Sequence, residues 1–367
     1  MPFLSPILDD PSTAVAGPAK DLRSTPERLR DKFGRAITDL RVSVTDRCNY
    51  KCVYCRTGNE GAQYTELPIT NYLRMVRLFV SLGVEKVRLT GGEPLLRSGL
   101  TEFVREIAAM RTAYLHEGTY VGDVGGQALD IALTTNGHLL ENLAKPLKDA
   151  GLNRVTVSMD AVDASTFSAI TRVPRSFDRV LAGIRKAQDV GLGPVKVNCV
   201  LLRGFNDGQI EQFAEFSRKE DVIVRFIEWM PLEEDRSWKM ESVISMQEIV
   251  ERLNKYRPLV ELVPHSASET AKRFTFDDGI GEIGIIAPVS RPFCGHCSRI
   301  RLTSDGKIRT CLFSQSDHDL YGEMVRGGTD AQLIAYIRRT VMYKEARHHI
   351  GEPGFKKPSR NMVHIGG

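Results

Sequence analysis

The chain has 367 residues and a net charge of +4, from 50 Lys plus Arg against 46 Asp plus Glu. With 42% hydrophobic and 26% charged residues it can bury a large core, which excludes global disorder. The charges balance too closely for a general nucleic-acid binder, and no apolar run is long enough to cross a bilayer as a helix. No basic stretch leading into an apolar core opens the sequence, so the expected location is cytoplasmic rather than secreted.

Residues 1–36 hold five prolines and no sustained periodicity, and they read as a flexible N-terminal extension. From Leu40 onward, short β-branched runs alternate with amphipathic stretches. Strands are predicted over 40–45, 86–90, 130–134, 154–158, 195–201 and 222–228. Helices are predicted over 69–82, 100–110, 139–150, 177–190 and 209–218. Six strand–helix units imply an α/β fold with a parallel sheet, because each right-handed crossover lays its helix on the sheet's outer face. Six are too few to close an eight-stranded barrel. The expected fold is therefore a partial, incomplete parallel βα barrel over 37–235. Its functional face would be the loops after the strands' C-terminal ends. Residues 112–127 are Gly-rich and aperiodic, and they read as a loop insertion. The alternation stops near residue 235, leaving 236–367 as a separate C-terminal segment.

Seven cysteines stand out: Cys48, Cys52, Cys55, Cys199, Cys294, Cys297 and Cys311. In a long chain with no sign of secretion, clustered thiols stay reduced and bind metal or do chemistry. Cys199 sits alone in an apolar run and reads as a small core residue. Cys48, Cys52 and Cys55 form C-x3-C-x2-C directly after the first strand. Three thiolates so close can wrap one side of a cuboidal iron–sulfur cluster and leave one iron open to an outside ligand. A zinc ion with a remote fourth ligand is the alternative. Cys294, Cys297 and Cys311 form C-x2-C-x13-C, again with three thiolates. A second cluster with one open iron fits this pattern. So does a zinc completed by a distant His or Asp. His296 lies between two ligands and reads as a bystander.

The first cysteine pattern, with Tyr54 just before its third thiol, resembles the radical S-adenosylmethionine (SAM) superfamily. Gly91-Gly92-Glu93-Pro94, after the next strand, resembles that family's motif for the SAM amino group. The second cysteine string, Cys294-Gly-His-Cys-Ser-Arg-Ile-Arg-Leu-Thr-Ser-Asp-Gly-Lys with Cys311-Leu-Phe, narrows the likeness. So do Thr134-Thr-Asn-Gly, Val157-Ser-Met-Asp-Ala, Arg225-Phe-Ile-Glu-Trp-Met-Pro and Ile365-Gly-Gly. Together they resemble the GTP 3′,8-cyclase family, molybdenum cofactor biosynthesis protein A, from about residue 40 to the C-terminus.

The resemblance implies two 4Fe-4S clusters and SAM as cofactors. It implies a substrate, GTP, whose ribose 3′ carbon loses hydrogen to a 5′-deoxyadenosyl radical and then bonds to guanine carbon 8. The product is (8S)-3′,8-cyclo-7,8-dihydroguanosine 5′-triphosphate, in the first step of molybdenum cofactor synthesis. Tyr54, Gly92, Ser158 and Met230 would line the SAM site. Arg41, Arg88, Lys196, Arg299 and Arg301 would hold the triphosphate, with Thr134 as a hydroxyl contact. The second cluster's open iron would bind the guanine edge. Gly366-Gly367 would reach into the site, a homodimer is implied, and the product would pass to a downstream pterin-forming enzyme.

The residue types agree with an anionic substrate. Arg41, Arg88 and Lys196 lie in predicted strands, and a cation inside a barrel needs an anion. If they point outward they are simply solvated. Arg225 is a further candidate. Arg299 and Arg301 alternate along an extended stretch, so both can face one side. A peptide-modifying radical enzyme and a zinc-stabilised nucleic-acid-binding protein are the rival readings. The first would carry more C-terminal cysteines, and the second a basic stripe.

Overall fold

The computed structural model describes residues 25–55, 62–122, 126–233 and 237–365. Six strands follow the predicted alternation: β1 (Asp39–Ser43), β2 (Lys86–Thr90), β3 (Asp130–Thr135), β4 (Arg154–Ser158), β5 (Lys196–Leu201) and β6 (Ile223–Glu228). Between them run α1 (Ile69–Ser81), α2 (Leu100–Ala108), α3 (Leu140–Asp149), α4 (Ala164–Thr171), α5 (Phe177–Asp189) and α6 (Ile210–Glu220). In α1, Tyr72, Met75, Val76 and Phe79 recur at helical spacing and are buried, which lays one face on the sheet. The sequence reading missed α4. Its buried stripe is only Phe167, Ile170 and Thr171, too short to show a period. Its start is nevertheless marked, because Asp163 accepts from the backbone N–H of Ser165 and Thr166.

The sheet does not stop at residue 235. After α7 (Met246–Tyr256) come β7 (Leu259–Leu262), β8 (Lys272–Phe276), β9 (Glu282–Ile286), β10 (Arg299–Leu302) and β11 (Ile308–Arg309). The strand order is β7-β8-β9-β6-β5-β4-β3-β2-β1-β10-β11. β9 pairs parallel to β6, and β10 pairs parallel to β1. The segment expected to stand apart thus extends both edges of the same sheet, and Ile283, Ile285, Ile300 and Leu302 join its core. The alternation was lost because neither β9 nor β10 is followed by a crossover helix. α8 (Leu320–Val325), α9 (Asp330–Val341) and α10 (Met362–Ile365) complete the chain.

The N-terminal lead-in is packed from residue 25 on. Leu29 is buried, and Arg35 donates to the carbonyls of Cys294, Glu345 and Ala346. The expected loop insertion carries two short antiparallel ladders, Arg111–Thr112 with Gln127–Ala128 and Tyr114–His116 with Thr119–Val121. Among the described residues no helix is long and apolar enough to cross a membrane.

Candidate active site

β5 and β6 show how the sheet builds its inner face. Val197, Cys199 and Leu201 are buried on one side, while Lys196, Asn198 and Val200 face the other. Arg225 and Ile227 do the same in β6. Residues from all eight parallel strands line one cavity of about 700 Å³, so the sheet curls around it. Most of the residues singled out from the sequence line that cavity: the six clustered cysteines, Tyr54, Gly92, Ser158, Met230, Arg41, Arg88, Thr134, Lys196, Arg299 and Arg301.

The cavity is not confined to the loops at the strands' C-terminal ends. Asp39, Lys86 and Asp130, the first residues of β1, β2 and β3, also line it. Cys48, Cys52 and Cys55 follow the C-terminal end of β1, whereas Cys297 precedes the N-terminal end of β10. Register aligns Arg299 with Asp39, so the two triads flank opposite ends of the same strands. Four residue steps, about 13 Å, separate the level of Arg299 from that of Ser43. The reading from loops alone missed this because Cys294–His296, a single helical turn, lies at the strand entry rather than its exit.

Cations fill the gap. At the strand starts, charges alternate in register: Arg299, Asp39, Lys86, Asp130. Two residues further along the same face, Arg301, Arg41 and Arg88 stand side by side. Burial, with Arg88 and Arg299 nearby, pulls the Arg41 guanidinium down to about 9. Burial and Arg225 pull Arg88 to about 10, and burial brings Arg225 to about 10 as well. Lys196 falls to about 8 through burial, Arg225 and Arg154. Arg88 donates to the hydroxyls of Thr134 at 3.0 Å and Thr156 at 3.2 Å, and Arg225 donates to Asn198 Oδ1 at 2.9 Å. These acceptors are neutral, and burial outweighs the pull of Asp39, Asp130 and Glu269 on the cluster, so an anion bound here would be favoured.

The sequence reading missed Arg154, Lys86, Lys344, Thr156 and Asn198, which also line the cavity. Lys86 could have been found, since it lies two residues from Arg88 on the same strand face. Lys344 belongs to no strand or helix and carries no periodic signal.

The N-terminal triad is fixed by short-range backbone contacts. The Tyr50 N–H donates to Cys48 Sγ at 3.4 Å. The Tyr54 hydroxyl donates to Asp160, which also accepts from the Val200 N–H. Burial and the Asp160 carboxylate push the Cys52 thiol well above its ordinary range. Gly91 and Gly92 allow strand-end and cysteine loop to touch. A Cβ on them would stand 2.2 Å from the Thr45 carbonyl oxygen and 2.3 Å from that of Arg47. Glu93, within the motif that resembles the one for the SAM amino group, does not turn its carboxylate to the cavity. It is buried outside the cavity lining and accepts from Leu95 N–H, the Thr135 hydroxyl and Asn136 N–H.

At the other triad, Arg299 reaches Cys297 Sγ at 3.4 Å. Burial would raise the Cys297 thiol, but Arg299 and Lys344 outweigh it and bring it to about 6. Burial raises Cys311. His296 is exposed and outside the cavity lining. Cys199 is buried in the core, with its sulfur 3.6 Å from Asn206 Nδ2. Gly366-Gly367 lies outside the described residues. Among the described residues, no three His, Cys, Asp or Glu converge on a single metal ion.

A parallel α/β sheet with three cysteines on the loop after its first strand defines the class: a radical SAM enzyme, whose superfamily model matches residues 42–217. Residues 222–350 match the family model Molybdenum Cofactor Synthesis C. A GTP 3′,8-cyclase from Acidothermus cellulolyticus is 41% identical over 336 residues, covering 87% of this chain and 88% of that one. Another, from Thermodesulfovibrio yellowstonii, is 40% identical and covers 92% of this chain and 100% of that one. The chain belongs to the GTP 3′,8-cyclase family. The crystal structure of Streptococcus suis SuiB bound to S-adenosylmethionine shares the fold, with a TM-score of 0.58 at 14% identity, covering 84% of this chain and 69% of that one.

Proposed function

We propose that the chain converts GTP to (8S)-3′,8-cyclo-7,8-dihydroguanosine 5′-triphosphate as a radical SAM enzyme, in the first step of molybdenum cofactor synthesis. The observation that carries this reading is the row Arg301–Arg41–Arg88 lying between two cysteine triads in one cavity. A triphosphate is an anion that three neighbouring guanidinium groups can bind together.

The residues present fit the cofactors. Each triad brings three partly buried thiols to the lining of one cavity, the donor set that a cuboidal cluster with one open iron requires. A buried, charge-disfavoured thiol such as Cys52 gains from an iron beside it. Cys48, Cys52 and Cys55 would hold the cluster that, with SAM bound, supplies one-electron cleavage of the sulfonium and a hydrogen-abstracting radical. Tyr54, Gly92, Ser158 and Met230 would line the SAM end. Cys294, Cys297 and Cys311 would hold a second 4Fe-4S cluster facing the guanine base. Arg41, Arg88, Lys196, Arg225, Arg299 and Arg301, with Thr134, would fix the triphosphate and so orient the ribose between the two ends. The curled sheet is read as an incomplete barrel whose parallel strands end at β9 and β10, with the flanking segments closing it to water. A cytoplasmic homodimer that hands its product to a pterin-forming enzyme completes the reading.

The test is anaerobic incubation of reconstituted protein with SAM, dithionite and GTP. The expected products are 5′-deoxyadenosine and a cyclised guanosine triphosphate. Deoxyadenosine with GTP untouched would move the substrate to another class, such as a peptide. Protein without iron would sink the reading at its root.

A further inference from the structure

Lys344 lies just beyond α9 and is 2% exposed. Its ammonium donates to the Arg299 carbonyl at 2.9 Å and to the Thr310 carbonyl at 2.5 Å. Arg299 follows Cys297 by two residues, and Thr310 directly precedes Cys311. One side chain therefore ties together the two backbone segments that carry these thiols. An ammonium has three donors, and two are spent on carbonyls.

Its neighbours hold it in place. Arg35 grips the carbonyls of Glu345 and Ala346, and the same guanidinium grips that of Cys294. The Glu345 carboxylate accepts from the hydroxyls of Thr310 and Ser314. That carboxylate is directed to hydroxyls, and among the described residues Lys344 forms no salt bridge. A buried ammonium with only carbonyl partners is costly unless negative charge lies close by. The Glu345 carboxylate is one negative group nearby, and the thiolates of Cys297 and Cys311, which line the same cavity as Lys344, would be the others once they hold a cluster.

We infer that Lys344 is a positioning residue that supplies fixed positive charge to the C-terminal thiolate triad and thereby raises the reduction potential of the cluster held there. This rests on the reading that the triad holds a cluster. Net charge and hydrogen bonds around the sulfurs are general determinants of such potentials.

The experiment compares reconstituted wild type, Lys344→Gln and Lys344→Arg by iron count and EPR-monitored redox titration. The C-terminal signal is the one that added SAM leaves unperturbed. The expected result is a downward shift of that midpoint potential in Lys344→Gln, with Lys344→Arg close to wild type and the SAM-sensitive signal unmoved in both. A full iron complement with an unshifted C-terminal potential in Lys344→Gln overturns the inference and leaves Lys344 a backbone tie. Should Lys344→Gln lose its C-terminal irons, Lys344→Arg decides. Irons kept by Arg support a requirement for charge, and irons lost from both variants overturn it. Wild-type protein with iron for one cluster only overturns the two-cluster reading itself, and the inference with it, before any variant is compared.

Discussion

Arg41 and Arg88 occupy the same register position on neighbouring parallel strands, and Arg301 flanks Arg41 on its other side. Like charges directly opposite one another weaken a sheet. Two residues earlier the same strands alternate sign, with Asp39 between Arg299 and Lys86. The fold therefore alternates charge along one row and sets like charges beside one another in the next, at a cost in its own stability. That cost has a function if a polyanion binds the row.

Arg41→Met should accordingly separate stability from binding. Removing a buried cation from the row should raise the stability of GTP-free protein by about 1–4 kcal/mol. Losing a charge-assisted contact worth about 1.5–3 kcal/mol should raise the Kd for GTP roughly 10- to 150-fold. Denaturant titration and calorimetry measure the two effects. A variant that is less stable yet binds GTP as well as wild type would falsify the triphosphate role of the row.

Lys196 gives the site a pH dependence. Burial, with Arg225 and Arg154, brings its ammonium to about 8 in the folded protein, below the ordinary lysine range. Between pH 8 and its unfolded value the unfolded chain binds the extra proton, so this residue makes ligand-free stability rise with pH across that window. Binding has the opposite sign, because a triphosphate favours the protonated form. GTP affinity should fall as pH increases through about 8, with proton uptake on binding. In Lys196→Met both the decline and the uptake should flatten. Equal pH profiles for the two proteins would remove Lys196 from the site.

The strands and the thiols were legible because each has a strong local signature. β2 and β4 fall where their β-branched runs predict, and the six clustered cysteines announce themselves by spacing. What sequence could not give was the return of β9 and β10 to the sheet. Their pairing partners lie about 60 and 260 residues away along the chain, and no helix follows either strand to mark a βα unit. The placement of the second triad at the strand entry follows from that pairing, so it was hidden for the same reason. Lys344 was invisible because its role depends on two carbonyls, and carbonyls carry no residue-type signal. The partners of Glu93 were hidden for a related reason, since Thr135 and Asn136 come from a different strand and loop.

Iron content tests the triads independently of turnover. Two 4Fe-4S clusters amount to about eight irons per chain, and Cys311→Ala should reduce that to about four while SAM still perturbs the remaining signal. Cys52→Ala should do the reverse and abolish the SAM effect. An unchanged iron count in Cys311→Ala would remove the C-terminal cluster from the proposal.

Glu93→Gln distinguishes a carboxylate that holds the fold from one that holds a ligand. One Glu93 oxygen accepts from Leu95 N–H and the Thr135 hydroxyl, and the other from Asn136 N–H. An amide can offer only one of those oxygens. Its NH2 group would meet either the Asn136 N–H or the Leu95 N–H, leaving donors face to face in a buried site. The expected loss is about 1–3 kcal/mol of stability in protein free of SAM, read as a lower denaturant midpoint at unchanged m-value. Because Glu93 N–H and Gly92 N–H also bond the carbonyls of Arg47 and Thr45, the cysteine loop should loosen with it, and SAM affinity should drop as a consequence. Burial holds the Glu93 carboxyl up near 7, against the pull of its three donors, so its contribution to stability changes with pH. Folded protein binds the proton more tightly than unfolded chain between the ordinary glutamate range and about 7, and this group's share of stability declines as pH rises across that interval. The Gln variant cannot titrate, so its stability gap to wild type should narrow over the same interval. Wild-type stability together with lost SAM binding in Glu93→Gln would reverse the assignment and return the carboxylate to the ligand.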